Sequence, residues 1–321
     1  MANNNDNMNF DHVVVKEPSI GQRMYKYRWF YLMFLPVAVI LAIFFYWPMF
    51  GIRYAWSTYK LKQITLRTGP DYSIGWGNFQ RLFTSDPFHS AFKNTIILSF
   101  FNLVFATVFT VVVALLINEI GNAWGKKIVQ TVLYLPHFLS WVVAASIFML
   151  ILSAGTDATG ADTSNMGFVN AILAQIGLID KPVDFLTESK CWRWVWYIMN
   201  RWKETGWGTI IYLAALSGIS PDLYEAAEID GANRFKQTWY ITLPSLMNTI
   251  LVVFILNLAK IMNIFESVFV LYNSLVYDVS DVIQTYVYRV GIVGLFKSVV
   301  SLILVSASDV ISKKVRGYGI V

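Results

Sequence analysis

From Tyr31 to Phe50, and again from Asn94 to Ile117, the chain runs without a single charged side chain. About 20 apolar residues is what a helix needs to cross the roughly 30 Å hydrocarbon layer of a bilayer. A water-soluble fold would have to bury every such run, and this chain has too much apolar surface for that. Of its 321 residues 56% are hydrophobic and 14% charged, where a soluble domain carries about a quarter charged residues. A multi-span membrane protein is the economical reading. Its abundant aromatics (12 Trp, 17 Tyr, 23 Phe) suit interfacial belts and contact with sugar or lipid. The net charge of +5 is dispersed along the chain, which suits anionic lipid and gives no nucleic-acid signal. One cysteine, Cys191, excludes an intrachain disulfide and a cysteine metal site.

The apolar runs predict an all-α membrane protein with six spans at about 31–50, 94–117, 129–152, 192–216, 246–265 and 290–308. Residues 31–321 then form one transmembrane domain behind a tail at 1–30. The Asn-rich stretch 1–18 reads as disordered, and the first apolar run is too long for a cleavable signal, so it reads as a retained span. Arg23, Lys26 and Arg28 predict a cytosolic N-terminus, and six spans return the C-terminus, with Lys313, Lys314 and Arg316, to the same side. Pro36 and Pro48 lie near the ends of the first span and Pro136 inside the third. Between spans come a mixed polar loop at 51–89 with a short amphipathic helix at 78–83, a basic turn at 118–127, and external loops at 153–191 and 266–289. The basic turn, Gly121 to Lys127, faintly suggests a phosphate loop. It has one residue too few between its glycines and no Ser or Thr after the Lys.

Two stretches break the apolar pattern. The fourth span carries Asn200, Arg201, Lys203 and Glu204 near its middle, where charges are costly and face protein or a water-filled cavity. They either pair internally and snorkel or line a pathway. The second stretch, Glu225 to Lys236 continuing to Ile241-Thr242-Leu243-Pro244, is too charged to span. Ala226, Ala227 and Ala232 leave a surface small enough for close approach by a partner, and Gly231 permits a sharp bend between two short helices. Glu225 and Asp230 can pair with basic groups or cap helix ends. A helix lying on lipid would instead want Lys and Arg on its polar face.

Glu225-Ala226-Ala227, Asp230-Gly231-Ala232, Ile241 and Leu243-Pro244, at this spacing, match the EAA signature of ABC-importer permeases. The whole chain resembles the maltose-type carbohydrate permeases and looks closest to the Gram-positive branch assigned to complex oligosaccharides or polysaccharides. Leu133-Tyr134-Leu135-Pro136-His137, Ala214 to Ile219, and Gly294-Leu295-Phe296-Lys297-Ser298 support the resemblance. It implies a type I ABC-importer fold in a bacterial plasma membrane, with Glu225, Ala226, Ala227, Asp230, Gly231, Ala232, Leu243 and Pro244 in a cytosolic coupling helix between spans four and five. It also implies a second, homologous permease (a heterodimer), two ATP-binding subunits that use the ATP and Mg, an extracellular solute-binding lipoprotein, and an oligosaccharide substrate. No catalytic residue, metal or cofactor is expected on this chain.

The resemblance places a sugar-contacting Asn at Asn200; Trp202, Glu204, Asn257 and Asn263 are further pathway candidates. Aromatic faces cover the C–H side of a pyranose, and amides serve hydroxyls as donors and acceptors. Asn257 and Asn263 equally suit bridging between helices. One departure is the short segment between Tyr288 and Leu295, where such relatives carry a longer one. The alternatives are an ion-coupled secondary sugar transporter acting alone, for which Glu204 is thin support, and a membrane enzyme, for which His12, His89 and His137 form no evident cluster.

Overall fold

The computed structural model describes residues 19–50, 55–56, 76–155 and 166–290, and short helical pieces at 302–304, 306–307, 309–310 and 313–314. Every regular element among the described residues is helical. The expected sixth span, 290–308, lies outside the described residues apart from residue 290 and the pieces at 302–304 and 306–307, as do most of the 51–89 loop and the tail at 1–18. The chain divides into two units, 1–75 and 76–321.

The first unit holds α1 (Ile20–Lys26) and α2 (Arg28–Met49). Ser19 and Gln22 form a reciprocal capping box, which starts a helix inside the segment read as tail. The 22-residue α2 is apolar enough to cross a membrane. Its side chains are exposed almost throughout, as expected of a span that faces lipid or another chain.

The second unit is built on two long helices, α4 (Asp86–Asn118) and α8 (Ser189–Leu216); ahead of them α3 (Gly77–Phe83) matches the expected surface helix. At 33 residues, α4 is roughly 50 Å long. It exceeds what a crossing needs and begins eight residues before the expected start at Asn94. Its buried stripe runs through Ala91, Asn94, Leu98, Leu103, Val111, Ala114 and Ile117. Arg193 donates to Asn94 (2.8 Å), Tyr197 to the Ile97 carbonyl (3.2 Å) and Arg201 to Asn102 (2.7 Å), and Gly208 lies against Thr110. Partner numbers rise together, so α4 and α8 run parallel.

Two parallel neighbours require the chain between them to return along the bundle. It does so through α5 (Ala123–Tyr134), a 3₁₀ turn at Leu135–Phe138 and α6 (Trp141–Leu152); a short helix, α7 (Phe168–Gln175), then stands within the expected loop at 153–191 ahead of α8. This pair is bent by 102°, so the expected third span, 129–152, is not one straight helix. Pro136 sits in the tight turn, where its missing N–H is tolerated. Leu139 is extended and Ser140 caps the new helix by accepting from Val143 N–H at 3.2 Å. Helix α5 also begins earlier than the expected span: Asn122 caps it, so Lys126 and Lys127 are helical rather than in a turn.

After α8 come α9 (Pro221–Ile229) and α10 (Arg234–Ala259), the latter with a π-helical turn at Thr238–Thr242. Leu243 and Ile250 pack on Val111, Ala114 and Tyr212, whereas Met262 joins Phe88 and Ala91. Helix α10 therefore runs antiparallel to α4 and α8. It ends at Ala259 rather than 265, because residues 260–262 form a turn.

The bundle thus has two chemically distinct ends. At the first, helices α11 (Phe265–Phe269), α12 (Tyr277–Ser280) and α13 (Ile283–Val290) replace the expected loop and close over the starts of α4 and α8. Asn94 donates to the carbonyls of Asp278 and Asp281 (2.9 and 3.1 Å), Ser189 to the Asp278 carboxylate (2.8 Å), and Trp192 to the Leu271 carbonyl (3.1 Å). The Asp281 carboxylate accepts from Thr285 and Arg289. Burial pushes its carboxyl above the usual carboxylate range, and those two partners pull it back. At the second end, an Arg234–Glu119 ion pair at 3.3 Å holds the start of α10 beside the exit of α4. Among the described residues α2, α4 and α10 are each long and apolar enough to cross a membrane, and the α5–α6 pair makes a fourth if counted as one span.

Candidate functional site

The polar stretch between α8 and α10 is a helix–turn–helix at the second end. Pro221 opens α9 in the first turn, where its missing N–H is no loss. The helix stops at Asp230-Gly231. Gly231 has φ +75°, its N–H bonds to the Glu228 carbonyl (3.0 Å), and Ala232 N–H reaches back to Ala227 (2.9 Å). This pair of bonds is a Schellman stop, and a left-handed residue at its turn is why glycine stands there. Asn233 then caps α10, accepting from Lys236 N–H at 2.9 Å, and Gln237 donates to the Ala232 carbonyl at 3.1 Å. The sequence Asp-Gly-Ala-Asn therefore encodes one stop and one start.

Glu225, Ala226, Asp230 and Gly231 are exposed, Ala227 and Ala232 half-buried. Beside them Ile229 is 87% and Phe235 75% exposed. Asp230 occupies the C-terminal cap, the end where a carboxylate opposes the helix dipole, so the capping role allowed for it is not the one it has. Among the described residues neither Glu225 nor Asp230 has an ion-pair partner. Leu243 is packed against Tyr212 and Ala114, and Pro244 is exposed.

The polar middle of α8 is engaged by the break between α5 and α6. Lys203 is buried. Its Nζ donates to the His137 carbonyl (2.8 Å), lies 3.4 Å from Glu204 and sits 4.9 Å from the centre of the Trp141 ring. Glu204 also meets His137 Nδ1 at 2.9 Å, and His137 stacks on Trp207 with ring centroids 4.6 Å apart. A Cβ on Gly206 would collide with the carbonyl oxygen of Leu133, so glycine lets α5 touch the α8 backbone. A buried cation is tolerable in such surroundings because a carboxylate, a carbonyl and an aromatic face all meet it.

The five pathway candidates do not form one cluster. Asn200 is 4% exposed and donates to its own helix at Trp196 (2.8 Å). Trp202 packs its ring on Phe148 and keeps an exposed edge. Glu204, with 34% of its side chain exposed, faces His137 and Lys203. Asn257 is exposed on α10, and Asn263 lies past that helix in a turn. Sequence reasoning did not connect His137, Trp207 and Gly206 with Glu204, because they come together only through the bend. Among the described residues no group of three His, Cys, Asp or Glu side chains is placed to hold a metal.

Residues 106–317 match the family model described as "Binding-protein-dependent transport system inner membrane component". The chain is 36% identical to protein LplB of Bacillus subtilis, over 89% of each chain. It is 36% identical to the polygalacturonan/rhamnogalacturonan transport system permease protein YteP of the same organism, over 93% of this chain and 92% of that one. Among solved structures it superposes on a chain of a bacterial alginate ABC transporter, crystallised in complex with an alginate pentasaccharide-bound periplasmic protein. There the TM-score is 0.80 at 35% identity, covering 94% of this chain and 99% of that one.

Proposed function

Because this chain belongs to the family of binding-protein-dependent transport system inner membrane components, permease subunits that are not themselves enzymes, we propose that it forms half of the translocation pathway of an ATP-driven oligosaccharide importer. The observation that carries this reading is the exposed helix–turn–helix at the second end, seated between two helices of the bundle: it presents Glu225, Ala226, Asp230 and Gly231, with Ala227 and Ala232 half-buried behind them. A separate ATPase docks there, with its ATP and Mg. A second permease subunit completes the pathway, and an external binding protein delivers the sugar.

The membrane arrangement proposed is six spans with both termini cytosolic: α2, α4, the bent α5–α6 pair, α8, α10 and the segment 290–308. The alternating directions of α4, the bent pair, α8 and α10 support it. Helix α8 is too polar to pass as an apolar span, but it runs in register beside α4 and so crosses with it. ATPase closure displaces α9, and α10 carries the displacement into the bundle through Leu243 and Pro244. The pathway then alternates around a fixed site. The linkage is reciprocal, so a loaded binding protein favours the state in which the ATPases close.

Of the pathway candidates, Glu204 and Trp202 present exposed surface on α8 and stand nearest the sugar, Asn200 supports them from behind, and Asn257 and Asn263 contribute from the α10 side. Residues 192–216 hold Arg193, Arg201 and Lys203 against one carboxylate, Glu204. These cations are met inside the bundle by Asn94, Asn102, the His137 carbonyl and Glu204, so support for an acidic sugar comes from the solved neighbour, a transporter involved in the import of the acidic polysaccharide alginate. The test is reconstitution. The chain purifies with a second permease and an ATPase, and uptake is abolished by vanadate while persisting when the proton gradient is collapsed. Uptake that ignores vanadate and dies with the gradient returns the chain to the secondary-transporter alternative.

A further inference from the structure

The helix that carries the EAA signature has little hold on the rest of the chain. Most of α9 is exposed; Tyr224 and Ala227 are the positions turned inward. Among the described residues, the side-chain hydrogen bond that ties α9 to a spanning helix is Tyr224 Oη···Thr242 Oγ1, 3.0 Å. Thr242 is 4% exposed and Tyr224 half-buried, so the contact is partly shielded from water, which strengthens a neutral hydrogen bond.

Thr242 also stands at a particular place in α10. It closes the π-helical turn Thr238–Thr242 and its hydroxyl reaches back to the Gln237 carbonyl, five residues earlier, at 3.4 Å. Two residues later Pro244 has no N–H to give, and Ser245 spends its hydroxyl on the Ile241 carbonyl at 2.6 Å. A π-turn followed by a proline is a stretch in which the regular ladder is already interrupted. Immediately beyond it Leu243 enters the cluster with Tyr212, Ala114 and Val111. A nine-residue helix is thus fastened where the regular hydrogen-bond ladder of α10 is interrupted, one residue before α10 grips α8 and α4.

We propose that Tyr224 and Thr242 are a positioning pair: their hydrogen bond transmits displacement of the EAA helix into α10, and the π-turn at Thr238–Thr242 is the joint that yields. The pair acts through α10 and touches neither nucleotide nor sugar. This inference rests on the importer reading above and adds to it the route of transmission.

The experiment uses the full complex in proteoliposomes. A bimane fluorophore is placed on Leu256→Cys, on exposed surface of α10, in a Cys191→Ser background, and its emission is followed on trapping with ATP and vanadate. Tyr224→Phe and Thr242→Val each delete one hydroxyl with little change of shape. Each is expected to shrink the trapping-induced emission change and the stimulation of ATPase by binding protein about two- to tenfold, the range set by one neutral hydrogen bond. Subunit stoichiometry and ATP hydrolysis without binding protein stay as before. The double variant is expected to be no worse than either single one, and Thr242→Ser to restore the signal. Full signal in both single variants, additive losses in the double, or loss of assembly without rescue by Thr242→Ser overturns the proposal. A parent complex that contains no ATPase, or gives no response to ATP and vanadate, overturns the importer reading instead.

Discussion

Glu204 and Asn200 stand four residues apart on one helix and have opposite surroundings. Glu204 is shared between His137 and a buried Lys203, and part of its carboxylate remains exposed. Asn200 is enclosed and spends its amide on Trp196. Removing the Glu204 charge leaves Lys203 without its anion, a loss of about 1.5–3 kcal/mol for a hydrogen bond to a charged group. It also changes whatever meets a sugar hydroxyl at that surface. Asn200→Ala frees one carbonyl inside a continuous helix. Glu204→Gln should therefore lower uptake more than Asn200→Ala, and should lower the melting temperature of the purified complex while Asn200→Ala shifts it little. An Asn200→Ala variant that transports worse than Glu204→Gln would move the sugar to the buried face of α8 and undo this ordering.

The signature's geometry belongs to elements rather than residues. Helices α9 and α10 meet through a single left-handed residue, Gly231 at φ +75°. An Ala there strains the turn by about 1–2 kcal/mol, so Gly231→Ala should weaken coupled uptake without ending it. Proline is fixed near φ −65° and has no N–H for the bond to Glu228. Gly231→Pro should abolish coupled uptake while the chain still inserts, because the turn belongs to no apolar span; normal ATP-dependent uptake in that variant would remove the case for this stretch as the coupler.

The bend at Gly231 was legible in advance, because glycine is the residue that tolerates it; the cap that Asn233 gives α10 was not read from the sequence, although it is equally local. The bend at Leu139–Ser140 was half legible: Pro136 marks a weak point, but the residues that meet the turn at His137, namely Lys203, Glu204 and Trp207, belong to another helix. Gly206 could not be read at all. In sequence it is a glycine weakening a helix, and only the approach of Leu133 explains it. His137 was set aside because the other two histidines are far from it; its partners are a lysine and a glutamate more than sixty residues away. Local stops and starts are written where they act, whereas contacts between helices are written in pairs of positions that one sequence does not connect.

At the scale of the molecule the question is orientation. Charge counting is weak here: Arg23, Lys26 and Arg28 argue for an inside N-terminus, but the loop after the first span carries Arg53, Lys60, Lys62, Arg67 and Arg81, which the rule for Lys and Arg would rather place inside. The geometry reduces the problem to one choice. Glu119 and Arg234 touch, so the exit of α4 and the entry of α10 share one end. Ser189 and Asp278 touch, so the entry of α8 and the cap over it share the other. In the six-span arrangement proposed above, α4, the bent pair, α8 and α10 then share one orientation, and a label at either end reports it. In a Cys191→Ser background, a membrane-impermeant maleimide applied to intact cells should label Leu275→Cys, an exposed position in the cap. It should reach Asp222→Cys on α9 and Trp124→Cys on α5 only after permeabilisation. The two outcomes are linked by the ion pair and the hydrogen bond just named, so labelling Asp222→Cys from outside would reverse the whole bundle and place the EAA stretch where no ATPase could meet it.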